Sequence, residues 1–348
     1  MLRILNTKIS LKHKPFIIAE MSGNHNQSLD RALEIVKAAS DAGAHALKLQ
    51  TYTADSLTLD ISEGEFFIKD KNSQWQGKSL YELYKQAYTP WDWHKPIMDY
   101  AKKLNLLCFS SPFDGKAVDF LEDLKTPAYK IASFENGHLP LIKKVLSTGK
   151  PVIISTGMAS LAELDETVKL ILESDNNNFA LLKCTSNYPA TPKNSNILTI
   201  PHMRDLFKCE VGLSDHTLGL GASIAAVSHG ASIIEKHFTL SRRDGGVDSA
   251  FSLEPDEMNK LVIETERAWD SLGEIKYGIV DEEKGSMTFR RSIYISEDIE
   301  KGEKLTNKNM RIIRPGFGLL PKYYDSIKGK KVNRNLKKGT AVTWEVIG

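Results

Sequence analysis

No stretch of this chain is apolar for long enough to cross a bilayer. Its first residues, Met1 to Lys14, carry Arg3, Lys8, Lys12 and Lys14 with no hydrophobic segment behind them, so neither a spanning helix nor a secretory signal is expected. Cysteine is scarce: Cys108, Cys184 and Cys209 are the only three. An odd number of thiols, none at zinc-site spacing and each in or beside an apolar strand pattern, excludes a disulfide framework. They read as buried core residues of a cytoplasmic protein. An excess of one charge is also missing. The formal net charge of +2 over 348 residues gives no reason to expect a nucleic-acid or membrane partner. Finally, no G-x-G-x-x-G follows the first strand pattern, which removes the main support for a doubly wound dinucleotide-binding sheet.

What is present is an alternation of short β-rich runs and amphipathic helices. Strand patterns cover Phe16 to Glu20, Ala46 to Gln50, Leu106 to Ser110, Ala128 to Ala132, Val152 to Ser155, Phe179 to Lys183, Glu210 to Ser214 and Ser232 to Lys236. Helical patterns separate them. One has Leu29, Ala32, Leu33, Val36 and Ala39 on a single face, and the last, Pro255 to Leu272, starts with Pro, Asp and Glu in its first turn. A polar insert, Thr51 to Lys78, breaks the rhythm after the second strand. Eight strand–helix units over about 275 residues predict a (β/α)8 TIM barrel, with an open doubly wound sheet as the second choice.

The pattern stops at Gly278. A linker is expected over 279–288, then a small β-rich domain over 289–348 with strands at Ser292 to Ser296, Met310 to Ile313 and Ala341 to Val346. That domain holds 14 Lys and Arg against 6 Asp and Glu, a net of +8, which against the chain's +2 leaves −6 for the barrel. It lacks the aromatic interleaving of a nucleic-acid module, so docking onto an oppositely charged barrel, in one chain or across a dimer, explains the asymmetry more simply.

In a TIM barrel chemistry belongs at the C-terminal ends of the strands. His216 and His237 fall there on consecutive strands, 21 positions apart, so the two imidazoles should meet beside Ser214 and Asp215. That pairing suits a divalent metal with open coordination positions. Glu20, Lys48, Gln50, Ser111, Lys130, Ser133, Glu135, Ser155, Lys183, Ser186, Asn187 and Tyr188 fall at other strand ends, and Asp248 in the loop after the last. Lys48, Lys130 and Lys183 with several hydroxyls suit a small phosphate-bearing anion, and Glu20 or Glu135 could transfer a proton. A Schiff-base role for Lys130 or Lys183 is the competing reading, disfavoured by the histidine pair.

These residues sit in segments that resemble the sialic acid synthase family along essentially the whole chain. They are Ile18-Ala19-Glu20 with Asn24-His25, Lys48-Leu49-Gln50, Tyr129 to Glu135, Ile154 to Met158, Gly212 to Thr217 and Glu235 to Thr239. Near the C-terminus, Lys301 to Thr306, Asn309-Met310 and Arg314-Pro315-Gly316 look like the antifreeze-like (SAF) domain of those synthases. Where the family reads Cys-Thr-Asn, this chain reads Cys184-Thr185-Ser186-Asn187, a form more similar to its pseudaminic acid synthase branch.

The resemblance implies a condensation of phosphoenolpyruvate with an acetamido sugar to a nonulosonic acid. It implies that Lys48, Ser111, Lys130, Ser133, Ser155, Ser186 and Ser214 hold phosphoenolpyruvate, that His216 and His237 bind Mn2+ or Mg2+, and that Glu20 acts as general base or acid. It further implies that Gln50, Glu135, Asn187, Tyr188 and Asp248 meet the sugar. Arg314 would reach the sugar from the small domain of the other protomer of a domain-swapped homodimer. The branch's sugar is a 2,4-diacetamido-6-deoxy hexose of L-altro configuration; N-acetylneuraminic and legionaminic acid synthesis remain alternatives. A metal-dependent barrel aldolase or hydrolase, and a non-enzymatic ice-binding module, are rival readings from other classes.

Overall fold

A short antiparallel hairpin, β1 (Leu2–Ile4) paired with β2 (Thr7–Ile9), opens the chain. Strand alternation did not flag it, because each arm is only three residues long. Eight parallel strands follow: β3 (Phe16–Glu20), β4 (Ala46–Thr51), β5 (Leu107–Pro112), β6 (Tyr129–Ile131), β7 (Val152–Ser155), β8 (Phe179–Cys184), β9 (Glu210–Ser214) and β10 (Ile233–His237). They pair in chain order and β10 closes onto β3, which makes the TIM barrel that the alternation of patterns predicts. The computed structural model describes residues 1–71 and 75–348; residues 72–74 of the polar insert lie outside the described residues.

Side chains alternate between the two faces of each strand, and the barrel uses both. Ile17, Ala19, Leu47, Leu49, Val211, Leu213 and Ile234 point outward into the layer shared with the helices. Phe16, Ile18, Ala46, Phe109, Ala128, Ile153, Ala180, Leu182 and Ile233 form a separate inner cluster, closed by Leu2, Ile4 and Ile9 of the hairpin. The hairpin is thus an apolar plug on the barrel interior. At Gly212 of β9 an added Cβ would lie 2.3 Å from the Ile233 carbonyl and 2.7 Å from Leu182, so only glycine leaves room for that packing. The wall helices start on side-chain caps: Ser28, Ser79, Asp114 and Ser160 each accept from a backbone N–H of the first turn.

The chain divides into two compact units, Met1–Gly273 and Glu274–Gly348. In the second, β11 (Ser292–Ile295) pairs antiparallel with β12 (Met310–Ile313) over a core that includes Ile293, Ile299, Leu305, Ile327, Val332 and Val342. Two expectations are corrected here. The segment read as a linker contains a 3-10 helix, Asp281–Phe289, grouped with the second unit. The strand expected over Ala341 to Val346 is absent: Ala341 makes a single bridge to Tyr294, and Trp344–Val346 is a 3-10 turn. Val342 donates to Ile293 and accepts from Leu319, so its backbone serves two neighbours and no ladder propagates. No helix among the described residues is long and apolar enough to cross a membrane.

Candidate active site

The parity that fills the lower barrel with apolar side chains places polar ones above them. On β3, Phe16 and Ile18 are followed by Glu20; on β4, Ala46 by Lys48 and Gln50; Ala128, just before β6, leads to Lys130 on it; on β10, Ile233 leads to Glu235 and His237. Register then sets their neighbours. Glu20 lies between His237 of β10 and Lys48 of β4, Gln50 is beside Ser111, and Ser214 is beside both Glu235 and Cys184.

The result is a buried charge network. Lys48 Nζ is 2.7 Å from Glu20 Oε2 and 3.8 Å from Glu235 Oε1, and Lys130 Nζ is 3.2 Å from the same Glu235 oxygen. Lys130 also donates to Ser155 at 2.7 Å, Lys48 to Ser111 at 3.4 Å, Ser214 to Glu235 at 3.2 Å and Gln50 to Glu20 at 2.8 Å. Burial pushes Glu20 up to about 7, Lys48 opposing and Glu235 reinforcing the rise. Glu235 resists the same burial because two ammonium groups face it, and stays below the usual carboxylate range. Burial lowers Lys130 below the ordinary lysine range, with Glu235 opposing. When Glu20 is protonated, two lysines face one ionised carboxylate, and in that state the pocket favours an anion. Glu235 Oε2 is buried with no hydrogen-bond partner, which leaves it available to a ligand.

Ser133, Ser155 and Ser186 gather on the Lys130 side around Gly157. Its N–H donates to Ser133 Oγ at 3.1 Å, and an added Cβ there would sit 2.1 Å from Ser186 Oγ and 2.7 Å from Ser133 Oγ. Glycine at this position lets two hydroxyls and a backbone converge. Glu135 follows β6 in a 3-10 turn, is pushed up to about 7 by burial, and keeps a buried oxygen without a partner.

The two imidazoles meet as the strand spacing predicts, with ring centroids 5.3 Å apart. His237 is the last residue of β10 rather than just past it. His216 Nδ1 donates to the Thr185 carbonyl at 2.9 Å, which leaves Nε2 as the nitrogen that can meet a ligand. Burial holds His237 well below the ordinary histidine range, hence neutral, and its buried Nδ1 has no hydrogen-bond partner. Asp248 Oδ2 is 3.6 Å from that nitrogen and accepts from Ser22. Burial alone would lower His216, but Cys184, the Thr185 carbonyl and Glu235 hold it above the ordinary histidine range. A divalent ion would therefore displace a proton from His216 and take a neutral nitrogen from His237, beside the Asp248 carboxylate, and this donor set fits such an ion. Among the described residues no third histidine, cysteine or carboxylate completes a three-ligand cluster with them.

Four readings change. Asp215 is not beside the imidazoles: both of its oxygens are taken, by Thr217 N–H, Ser223 and a 2.9 Å ion pair with Lys236, behind the strands. Lys183 is not a mouth lysine; it shares the outward parity of Leu181 and donates to the Cys184 carbonyl. Cys184 is buried, but in the site rather than the core, with Sγ 3.9 Å from His216 Nδ1 and from Ser186 Oγ. Asn187 is exposed, its Oδ1 accepting from the Tyr188 N–H, whereas Ser186 turns inward. Glu235 was missed as a site residue, although its parity with Ile233 and His237 was readable.

Tyr188 packs on His216 with centroids 4.4 Å apart and on Phe251 at 5.3 Å, and Phe251 packs on His237 at 4.8 Å. Arg314 lies in the second unit, exposed in the turn after β12. That turn is pinned: Ser292 Oγ donates to the Pro315 carbonyl and accepts from Gly318 N–H, and Gly316 N–H donates to Thr288.

A sequence model of the NeuB family matches residues 35–277, and one of the SAF domain matches residues 290–347. The chain is 43% identical to the pseudaminic acid synthase of Campylobacter jejuni subsp. jejuni, over 94% of this chain and 95% of that one. It is 41% identical to the pseudaminic acid synthase of Helicobacter pylori, over 94% and 96% of the two chains. Among solved structures, the N-acetylneuraminic acid synthetase of Leptospira borgpetersenii, crystallised with citrate, superposes with a TM-score of 0.73. It is 31% identical, with 82% of this chain and 94% of that one covered.

Proposed function

The chain belongs to the NeuB family and ends in a SAF domain, and from that premise we propose that it makes pseudaminic acid. Phosphoenolpyruvate and water react with 2,4-diacetamido-2,4,6-trideoxy-L-altropyranose to give the nine-carbon acid and phosphate. The observation that carries the sugar assignment is the identity of 43% and 41% with two pseudaminic acid synthases over nearly their whole lengths.

The residues divide the work. Lys48 and Lys130 attract the carboxylate and phosphate of phosphoenolpyruvate, and Ser111, Ser133, Ser155, Ser186 and Ser214 orient them by hydrogen bonds. Its C3 forms a bond to the aldehyde carbon of the open-chain sugar, water adds at C2, and the C2–O bond to phosphate breaks. Glu20 takes one proton from that water, the former aldehyde oxygen gains a proton to become a hydroxyl, and the new C2 hydroxyl loses its proton as C2 becomes the ketone and phosphate departs, stabilised by Lys48 and Lys130. Gln50, Asp248, Glu135 and Tyr188 contact the sugar. His216 and His237 would hold Mn2+ or Mg2+, which would supply Lewis-acid polarisation of the aldehyde when bound. The free, buried cysteines support a cytoplasmic location.

Phosphate release is the direct test. With phosphoenolpyruvate and Mn2+ present, the 2,4-diacetamido-6-deoxy sugar should release phosphate faster than N-acetylmannosamine. Equal efficiency on both would overturn the sugar assignment and leave the reaction class standing. A chelator, or His216→Ala or His237→Ala, should abolish release with the barrel still folded. Full activity after metal removal, verified by elemental analysis, would overturn the metal role.

Arg314 is the residue through which the chain would act as a homodimer. Its cationic domain and pinned turn support a guanidinium presented to the sugar bound by a second protomer. Co-expressed His216→Ala and Arg314→Ala chains should regain part of the activity that each has lost. Verified heterodimers with no regained activity would overturn the shared site.

A further inference from the structure

The pocket is polar at its base and aromatic above. Glu20, Lys48, Lys130 and Glu235 lie low in the barrel, whereas Tyr188 and Phe251 cover the imidazoles. Trp75, from the insert between β4 and β5, continues that wall, its ring centroid 5.9 Å from that of Tyr188. Its indole N–H donates to the Val247 carbonyl at 3.1 Å, just before Asp248. The only hydrogen-bonding group of the ring is therefore committed, and Trp75 offers carbon to whatever lies against it.

With the aldehyde at the imidazoles, this wall is the surface that the far end of an open-chain sugar would meet. We propose that Trp75 is a specificity-determining residue for the end of the sugar remote from the aldehyde, selecting a 6-deoxy methyl group over a 6-hydroxymethyl group. This rests on the acetamido-sugar reading above. A methyl group packs on the indole and phenol faces. A hydroxyl in the same place loses water and gains no partner, and an apolar site of this kind discriminates by up to about 10²-fold. A clamp that merely ties the insert to the loop before Asp248 would treat both sugars alike.

The test compares the 2,4-diacetamido-6-deoxy sugar with its 6-hydroxy analogue in steady-state kinetics of the full-length enzyme, the fold of each variant being checked by circular dichroism. The parent should favour the 6-deoxy sugar in kcat/KM. Trp75→Ala should reduce that preference by roughly 10-fold, mainly through KM for the 6-deoxy sugar, with KM for phosphoenolpyruvate unchanged. Trp75→Phe, which keeps an apolar ring, should retain most of the preference. An unchanged ratio in Trp75→Ala, or equal losses on both sugars in both variants, overturns the role of Trp75 while the acetamido-sugar reading stands. A parent that turns over neither sugar overturns both.

Discussion

Glu20→Gln should lower turnover by roughly 10²–10⁴ while phosphoenolpyruvate still binds, because the amide keeps the shape of the side chain and removes its capacity to take a proton. Two neighbours already hold that side chain in place: Lys48 and Gln50. Burial pushes the Glu20 carboxyl up to about 7, against Lys48. A base works only when ionised, so the parent's kcat should fall as pH drops below about 7 and level off above it. The variant should lose that acid limb together with its rate. Glu135 is pushed to the same range by burial. A variant that retained both its rate and its acid limb would move the proton transfer to Glu135.

Asp215→Ala should cost about 3–5 kcal/mol of stability, because it strands a buried lysine. Asp215 and Lys236 each expose only 1% of their side chains and sit 2.9 Å apart. Lys236 also donates to the Thr217 carbonyl, and Asp215 accepts from Thr217 N–H. The pair thus joins the end of β9 to β10 behind the two imidazoles. Urea unfolding should show the loss in the single variant, and Asp215→Leu with Lys236→Met should recover most of it, since apolar replacement of a buried pair removes the desolvation penalty along with the attraction. Parent-like stability of Asp215→Ala would mean that the pair adds nothing to the fold.

This second case shows where a linear motif misleads. Ser214, Asp215 and His216 are adjacent in sequence and all ionisable or polar, so they read as one cluster. A strand alternates its faces, and the turn that follows redirects the chain. Ser214 therefore faces Glu235 inside the barrel while Asp215 faces Lys236 outside it. The same rule separates Lys183 from Cys184.

The sequence by itself determined the barrel, through eight apolar runs alternating with helical patterns, and the meeting of His216 with His237, because one βα unit returns the chain to the same edge of the sheet. It also determined two of the three lysines it placed at the site, Lys48 and Lys130, and, by resemblance, the family. Only the tertiary structure decided which polar residues share a charge. Glu20, Lys48, Lys130 and Glu235 come from four strands, and their ionisation depends on mutual distance and loss of water, neither of which is encoded locally. It also decided the plug of Leu2, Ile4 and Ile9, whose strands are too short to carry a period, and the place of Trp75. Its insert has no regular pattern, and contacts with Tyr188 and Val247, over 110 and 170 positions away, fix where the indole lies.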